Sequence, residues 1–111
     1  MKKIDMFNHI WPKAFYLRFK EVMPKMMDIT RRSEMVPMMV DLDERFRVMD
    51  RFEGYCQILS LASPPLELAG SPAVSAELAR LGNDGMAQLV SEHPTRFPGF
   101  IASLPMNDAD R

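Results

Sequence analysis

The sequence has few of the features that mark secreted, membrane-bound or disulfide-rich proteins. Its single cysteine, Cys56, cannot form a disulfide within the chain, and its place in an apolar run predicts a small, buried, reduced thiol. No run approaches the ~18 apolar residues that a membrane span needs. Asp5, Asn8 and His9 interrupt the stretch where a signal peptide would have its apolar core. These absences predict a cytoplasmic protein without a membrane partner.

Neither positive nor negative charge is in large excess. Fourteen Lys and Arg residues against fifteen Asp and Glu residues give a net charge of −1. This balance does not provide the broad positive field that many nucleic-acid-binding proteins use, so no nucleic-acid partner is predicted. The glycine-rich motifs GxGxxG and GxxxxGK[ST] do not occur, and nucleotide binding of those two kinds therefore has no support.

The residues that are present predict one globular α/β domain. The length of 111 residues and the hydrophobic fraction of 47% fit a single core. Three apolar runs predict strands over 3–9, 55–62 and 98–104. Apolar positions at helical spacing predict helices over 13–23, over 42–53 after an N-cap at Asp41, and from Ser71 to His93. Strands that alternate with helices pair in parallel, so this order predicts an α/β sheet or barrel.

The segment that is most informative about function is the end of the first strand, Ile-Asp-Met-Phe-Asn-His-Ile-Trp-Pro over 4–12. Strand alternation predicts that Asp5, Phe7 and His9 share one face. Side chains at the carboxyl end of a barrel strand lie at the mouth where active sites are found. Two imidazoles at this spacing can bind one divalent ion, but here only His9 is a good ligand.

This segment resembles the first strand of the amidohydrolase-related (amidohydrolase 2) family, which includes aminocarboxymuconate-semialdehyde decarboxylase and similar metal-dependent TIM-barrel enzymes. The family phrase Ile-Asp-x-His-x-His-Ile-x-Pro is matched at Ile4, Asp5, His9, Ile10 and Pro12. Further similar phrases lie at 47–51, 57–60 and 83–105. Together they cover most of positions 3–108.

The resemblance implies that residues 1–111 form the N-terminal β-α-β-α-β portion of a single (β/α)8 barrel domain. Three strands cannot close an eight-stranded barrel, so the chain is expected to be incomplete. The implied function is that of a metal-dependent hydrolase or decarboxylase (a lyase), which acts on a small-molecule carboxylate substrate and is compatible with a homo-oligomer. The implied cofactor is a divalent metal, usually zinc.

The resemblance also implies a role for His9. In the family both histidines of the first strand bind the metal, and His9 corresponds to the second of them. Phe7 occupies the first histidine position and offers no donor atom, while other family ligands come from later strands. No catalytic or cofactor-binding residue is predicted within this chain. The alternative is a non-catalytic or truncated barrel relative without autonomous activity.

Several other polar side chains are predicted to be structural. Asp5 is expected to bind backbone amides or orient a neighbouring imidazole. The second helix carries three arginines that predict a solvated, ion-paired face, with a substrate-carboxylate clamp as the alternative: Arg45, Arg47 and Arg51. Two serines near the end of the second strand have no histidine–acid partner in the sequence that would make them nucleophiles: Ser60 and Ser63.

Overall fold

The structure is a computed structural model that describes residues 1–23, 35–62 and 65–107. Its strands are β1 (Lys3–Asp5), β2 (Tyr55–Leu59) and β3 (Gly99–Phe100). Its helices are α1 (Lys13–Val22), α2 (Leu42–Met49) and α3 (Pro72–Glu92), with 3-10 turns at Pro37–Met39 and Leu66–Leu68. The strands form one parallel sheet in the order β1-β2-β3. The predicted parallel α/β fold is confirmed.

The helix starts follow the local capping signals that the sequence contains. The Asp41 carboxylate accepts the Glu44 N–H at 3.1 Å, and the Ser71 hydroxyl accepts the Val74 N–H at 3.3 Å. The predicted N-cap at Asp41 is therefore confirmed, and Ser71, where the third helix was predicted to begin, is also an N-cap. Helix α2 ends at Met49 rather than near residue 53. The Asp50 N–H still bonds Phe46, but the two N–H groups after it bond three residues back, from Arg51 to Val48 and from Phe52 to Met49.

The strands are shorter than predicted, above all β1. Regular pairing stops at Asp5 and is taken up again by an isolated parallel bridge between Ile10 and Leu61. The stretch between α1 and α2, for which the sequence predicts no clear helical or strand period, lies largely outside the described residues, and its described part contains the turn Pro37–Met39. Apolar runs mark where a strand lies, whereas its paired length depends on partners distant in the sequence.

Helix α3 packs closely on the strand ends through two glycines. A Cβ atom at Gly82 would lie 2.6 Å from Leu61 Cδ1, and one at Gly85 would lie 2.5 Å from Pro12 Cβ. Glycine lowers helix propensity by roughly 1 kcal/mol relative to alanine, yet α3 runs unbroken through both positions. The glycines therefore serve close packing between the helix and the sheet.

The core lies between one face of the sheet and the helices. Leu59 of β2 packs with Met49 of α2 and Met86 of α3, and a second cluster joins α1 to α3 through aromatic and aliphatic side chains that include Trp11, Phe15, Phe19 and Leu78. On the opposite face Ile4 and Ile101 are exposed. Cys56 is buried and free, as predicted. None of the helices in the described ranges is long and apolar enough to span a membrane.

Candidate functional site at the end of the first strand

The end of β1 contains one residue more than the strand beside it. Asp5 pairs with Gln57 and Ile10 pairs with Leu61, so five steps along the first segment match four along the second. An extra residue of this kind is a bulge, and it changes which face the following side chains occupy. The strand end that carries His9 is therefore not a regular continuation of β1.

The bulge separates Asp5 from His9. The Asp5 carboxylate bonds Tyr55, whose face of β2 is covered by the helices, whereas His9 bonds Ser60, which alternates with the buried Leu59 and lies on the open face. The prediction that Asp5, Phe7 and His9 share one face is thus wrong for Asp5. The prediction fails because of the inserted residue, which the periodicity of the sequence does not reveal.

Phe7 and His9 do lie side by side on the open face. Their ring centroids are 5.4 Å apart in an edge-to-face arrangement, and Phe7 is 86% exposed. His9 is also exposed. The position that holds a histidine in the family phrase is thus adjacent to the His9 imidazole, and in this chain it holds a phenyl ring without a donor atom.

Ser60 determines which nitrogen of His9 carries the proton. The Ser60 hydroxyl donates to the Asn8 carbonyl at 2.6 Å, and its oxygen lies 3.1 Å from His9 Nδ1. A serine hydroxyl has one hydrogen, so Nδ1 is the donor in the second bond. The neutral imidazole then has an unprotonated Nε2, which is the form that a metal ion binds.

The same bonds bear on nucleophilic catalysis. A catalytic serine donates its proton to a neighbouring base, whereas here Ser60 donates to a backbone carbonyl and accepts from His9. The sequence predicted no histidine partner for Ser60, whereas the structure places the His9 imidazole beside its hydroxyl. Ser63 lies outside the described residues. The sequence pattern did not reveal the contact between Ser60 and His9, although both residues stand at the carboxyl ends of adjacent predicted strands.

Asp5 stabilises the bend that follows β1. One carboxylate oxygen accepts the Phe7 N–H at 2.9 Å, and the other accepts the Tyr55 hydroxyl at 2.5 Å. The predicted bonding of backbone amides by Asp5 is confirmed. Burial, together with the Asp5 bond, raises the pKa of Tyr55 above its usual value.

Arg45 forms hydrogen bonds to the same strand end from the helix side. It is 4% exposed and donates to the carbonyl of Met38 at 3.0 Å, to Gln57 Oε1 at 2.7 Å and to the carbonyl of His9 at 2.6 Å. Burial lowers the pKa of Arg45 to about 10. The predicted solvated face is therefore wrong for Arg45.

The other two arginines of this helical segment follow the prediction more closely. Arg47 pairs with Glu44, and Arg51 is exposed. Arg45 differs because it lies three residues after Leu42 and four before Met49, on the inward face of α2. This spacing was a signal in the sequence that could have placed its side chain in the interior.

The described residues do not by themselves fit a catalytic zinc ion. Among them no group of three or more His, Cys, Asp or Glu side chains could hold a metal. Catalytic zinc usually takes three protein ligands and a water molecule. Near His9, Phe7 has no donor atom and the Asp5 carboxylate is engaged on the other face. This part of the chain offers at most one imidazole to a metal.

Comparison with known proteins identifies decarboxylases. No family model matches the chain. It is 41% identical over 68 residues to a γ-resorcylate decarboxylase of a Polaromonas species, which is 61% of this chain and 21% of that protein. It is 36% identical over 108 residues to the decarboxylase yanB of Aspergillus niger, which is 95% of this chain and 27% of that protein.

A γ-resorcylate decarboxylase of Rhodococcus jostii is 35% identical over 68 residues, which is 61% of this chain and 20% of that protein. The chain thus spans between about a fifth and a quarter of the length of these curated relatives. Their names share one reaction, the removal of a carboxylate group. The chain is similar in sequence, over that part of their length, to bacterial and fungal decarboxylases.

Proposed function

We propose that this chain belongs to the amidohydrolase-related family and forms the first β/α units of a single metal-dependent decarboxylase barrel. Three observations support the proposal: the matched phrase at the end of β1, the parallel order β1-β2-β3 and the similarity to decarboxylases. The observation that carries most weight is the match to a decarboxylase along 95% of the chain. It includes the strand end on which His9 lies.

Decarboxylation is favoured over hydrolysis because the relatives named above are all decarboxylases. The substrate class is a small carboxylate, of which γ-resorcylate is the example that the relatives' names provide. In such a reaction the bond between the substrate carbon and its carboxylate breaks, carbon dioxide leaves, and a proton takes its place.

His9 is the residue of this chain that we assign to the metal, and zinc is the metal that we expect. A single imidazole does not hold a catalytic zinc ion, so an intact site requires further ligands from strands that follow β3. Ser60 supports the assignment because it holds the His9 proton on Nδ1. Orientation of a ligand imidazole by a hydrogen bond to its other nitrogen is common at metal sites.

The alternative is a barrel relative without catalytic activity, and Phe7 is the observation that favours it. Phenylalanine removes one of the two imidazoles that the family phrase places on the first strand, and a metal site that loses a ligand binds more weakly. The similarity to enzymes along nearly the whole chain favours the decarboxylase instead.

The test is the release of carbon dioxide from γ-resorcylate by the protein expressed from its complete reading frame, together with its metal content. The substitution His9→Ala should lower activity by at least about 100-fold and reduce bound metal. The matched control is His93→Ala, because His93 packs between Phe46 and Phe97 at the end of α3, away from the open face. Equal activity in both variants would contradict the assignment of His9. Absence of metal and of carbon dioxide release would support the non-catalytic alternative.

A further inference from the structure

One hydrogen bond of the parallel ladder is missing at the bulge that follows β1. Lys3 donates its N–H to the carbonyl of Gly54, and bonds of this kind repeat evenly along a parallel pair of strands. Four residues further on in both strands, the Phe7 N–H would donate to the carbonyl of Ile58. It donates instead to the Asp5 carboxylate at 2.9 Å, so the backbone does not supply this donor to Ile58.

The side chain of Asn8 supplies that donor. Its amide nitrogen donates to the Ile58 carbonyl at 2.6 Å and to the Asp5 carbonyl at 3.2 Å. The amide oxygen Oδ1 is buried and has no hydrogen-bond partner among the described residues. Reversal of the amide would turn this oxygen toward two carbonyl oxygens, which have no hydrogen to donate. The two N–H groups are therefore the part of Asn8 that stabilises the strand end.

The main chain of Asn8 links this amide to the His9 imidazole. The Asn8 carbonyl accepts the Ser60 hydroxyl at 2.6 Å, and Ser60 Oγ lies 3.1 Å from His9 Nδ1. On the helix side, Arg45 donates to the His9 carbonyl at 2.6 Å. Asn8 is 9% exposed, whereas the next residue, His9, belongs to the exposed surface. The buried amide and the exposed imidazole thus depend on the same short segment of the main chain.

We propose that Asn8 is a positioning residue for His9. Its amide takes the place of the missing ladder bond and so holds the extra residue in the strand end. Regular pairing would instead place Phe7 opposite Leu59, whose side chain is buried against the helices. It would turn His9 to that same face, because side chains two residues apart in a strand share a face. The bulge keeps the imidazole on the open face beside Ser60. The use of this imidazole as a ligand rests on the proposed function, whereas its placement by Asn8 does not.

The test is the tautomer of His9, read from the ring nitrogen NMR signals of the 111-residue chain labelled with ¹⁵N on histidine. The measurement is made at about pH 8, where histidine side chains are ordinarily neutral. In the unsubstituted chain His9 Nδ1 should give the signal of a protonated nitrogen, because Ser60 accepts its hydrogen. In Asn8→Ala this contact should be lost, and the proton should move to Nε2, the tautomer that a free histidine side chain favours in water. His93, the second of the two histidines, is the internal reference and should not change.

The matched control is Ser75→Ala. The Ser75 hydroxyl is buried and donates to the carbonyl of Leu66 at 2.9 Å, so its removal also costs a buried hydrogen bond, but away from the strand end. This variant should keep the proton on His9 Nδ1. A proton that stays on Nδ1 in folded Asn8→Ala would overturn the proposal, as would its movement to Nε2 in Ser75→Ala or its absence from Nδ1 in the unsubstituted chain.

A measurement on the unsubstituted chain decides the question even if Asn8→Ala does not fold. The side-chain amide protons of Asn8 should exchange with solvent at least about tenfold more slowly than those of the exposed Gln88, because the Asn8 amide is buried and held by two carbonyls. Equal exchange rates would overturn the proposal. These measurements require neither substrate nor metal, so a failure here is distinguishable from a failure of the proposed function, which is tested by carbon dioxide release and metal content.

Discussion

Arg45 connects the packing of α2 to the strand end that carries His9. It donates to three acceptors: the carbonyls of Met38 and His9 and the Gln57 side chain. A buried arginine is stabilising only when its bonds compensate for its lost hydration. Its effect on the protein is therefore mainly to fix the position of the acceptors that it bonds.

Replacing Arg45 with methionine should lower the free energy of unfolding by about 2–4 kcal/mol. The reason is that three buried or partly buried oxygens lose a charged donor while the methionine side chain preserves most of the volume. Urea denaturation measures the change. The control is Arg47→Ala, which removes an exposed pair with Glu44 and should cost less than about 1 kcal/mol. A similar decrease in the free energy of unfolding in the two variants would show that the Arg45 hydrogen bonds do not stabilise the strand end.

Tyr55 should ionise at a higher pH than a free tyrosine side chain. Burial disfavours its phenolate, and the Asp5 carboxylate both accepts its proton and repels its negative charge. The unfolded chain loses this proton near pH 10.0, before the folded chain does. The stability that Tyr55 contributes is therefore fully present below pH 10.0 and is lost as pH rises through the raised pKa.

The phenolate absorbance of the Tyr16→Phe variant isolates Tyr55, since the chain has two tyrosines. Its midpoint should lie above pH 10.0, and the further substitution Asp5→Asn should lower it only in part, because burial is the larger cause. A midpoint at or below pH 10.0 in the presence of Asp5 would contradict this account of the strand end.

For single residues, the sequence correctly predicted the roles that depend on neighbours along the chain. Cys56 is buried, Arg47 is ion-paired, and Asp5 bonds a backbone amide. The face occupied by Asp5 was not predictable, because the bulge arises from the pairing of β1 with a strand about 50 residues away. The tautomer of His9 likewise depends on Ser60, a residue of another strand.

Among the elements, α3 was predicted with the correct ends but for an incomplete reason. The Ser-Pro pair and the histidine at its end mark where it begins and stops. Its glycines, Gly85 and Gly82, lie where the helix meets Pro12 and Leu61. Helix ends are encoded in a few adjacent residues, while a close approach between two elements involves residues of both.

Substituting Gly85 with alanine should destabilise the protein by about 1–3 kcal/mol, although alanine is the better helix former by roughly 1 kcal/mol. The added Cβ would meet Pro12, whose ring is rigid and buried. The change should be smaller for Gly82→Ala, because the Leu61 side chain in its way can adopt another rotamer. Thermal unfolding compares the two variants with Ser91→Ala at an exposed helical position. A higher melting temperature for Gly85→Ala would refute the packing argument.

For the whole molecule, the sequence predicted the parallel pairing of the strands. The open face carries exposed apolar side chains, Ile4, Phe7 and Ile101, as the interior of a barrel would if its other strands were not beside it. A single strand end of this kind can present one metal ligand but cannot complete a site. The affinity for a metal ion therefore depends on ligands from the rest of the molecule and not on His9 alone.

The 111-residue chain should bind zinc weakly if at all, and Phe7→His should raise its affinity at least tenfold. The ring of Phe7 lies 5.4 Å from that of His9 on the same open face, so an imidazole in its place could bind the ion that His9 binds. A second ligand adds affinity because the first already holds the ion nearby. Calorimetric titration with zinc at neutral pH measures the difference.

The control for this gain is the addition of a second substitution to Phe7→His. His9→Ala should abolish the gain, while His93→Ala should preserve it, because His93 packs against Phe46 and Phe97 away from the open face. Ser60→Ala should reduce the gain, since the Nδ1 proton of His9 then loses its acceptor. Stoichiometric zinc in the unsubstituted chain that disappears with His9→Ala would show that ligand number does not limit the site. Affinity in Phe7→His no greater than that of the unsubstituted chain would show that the two side chains do not converge on one ion.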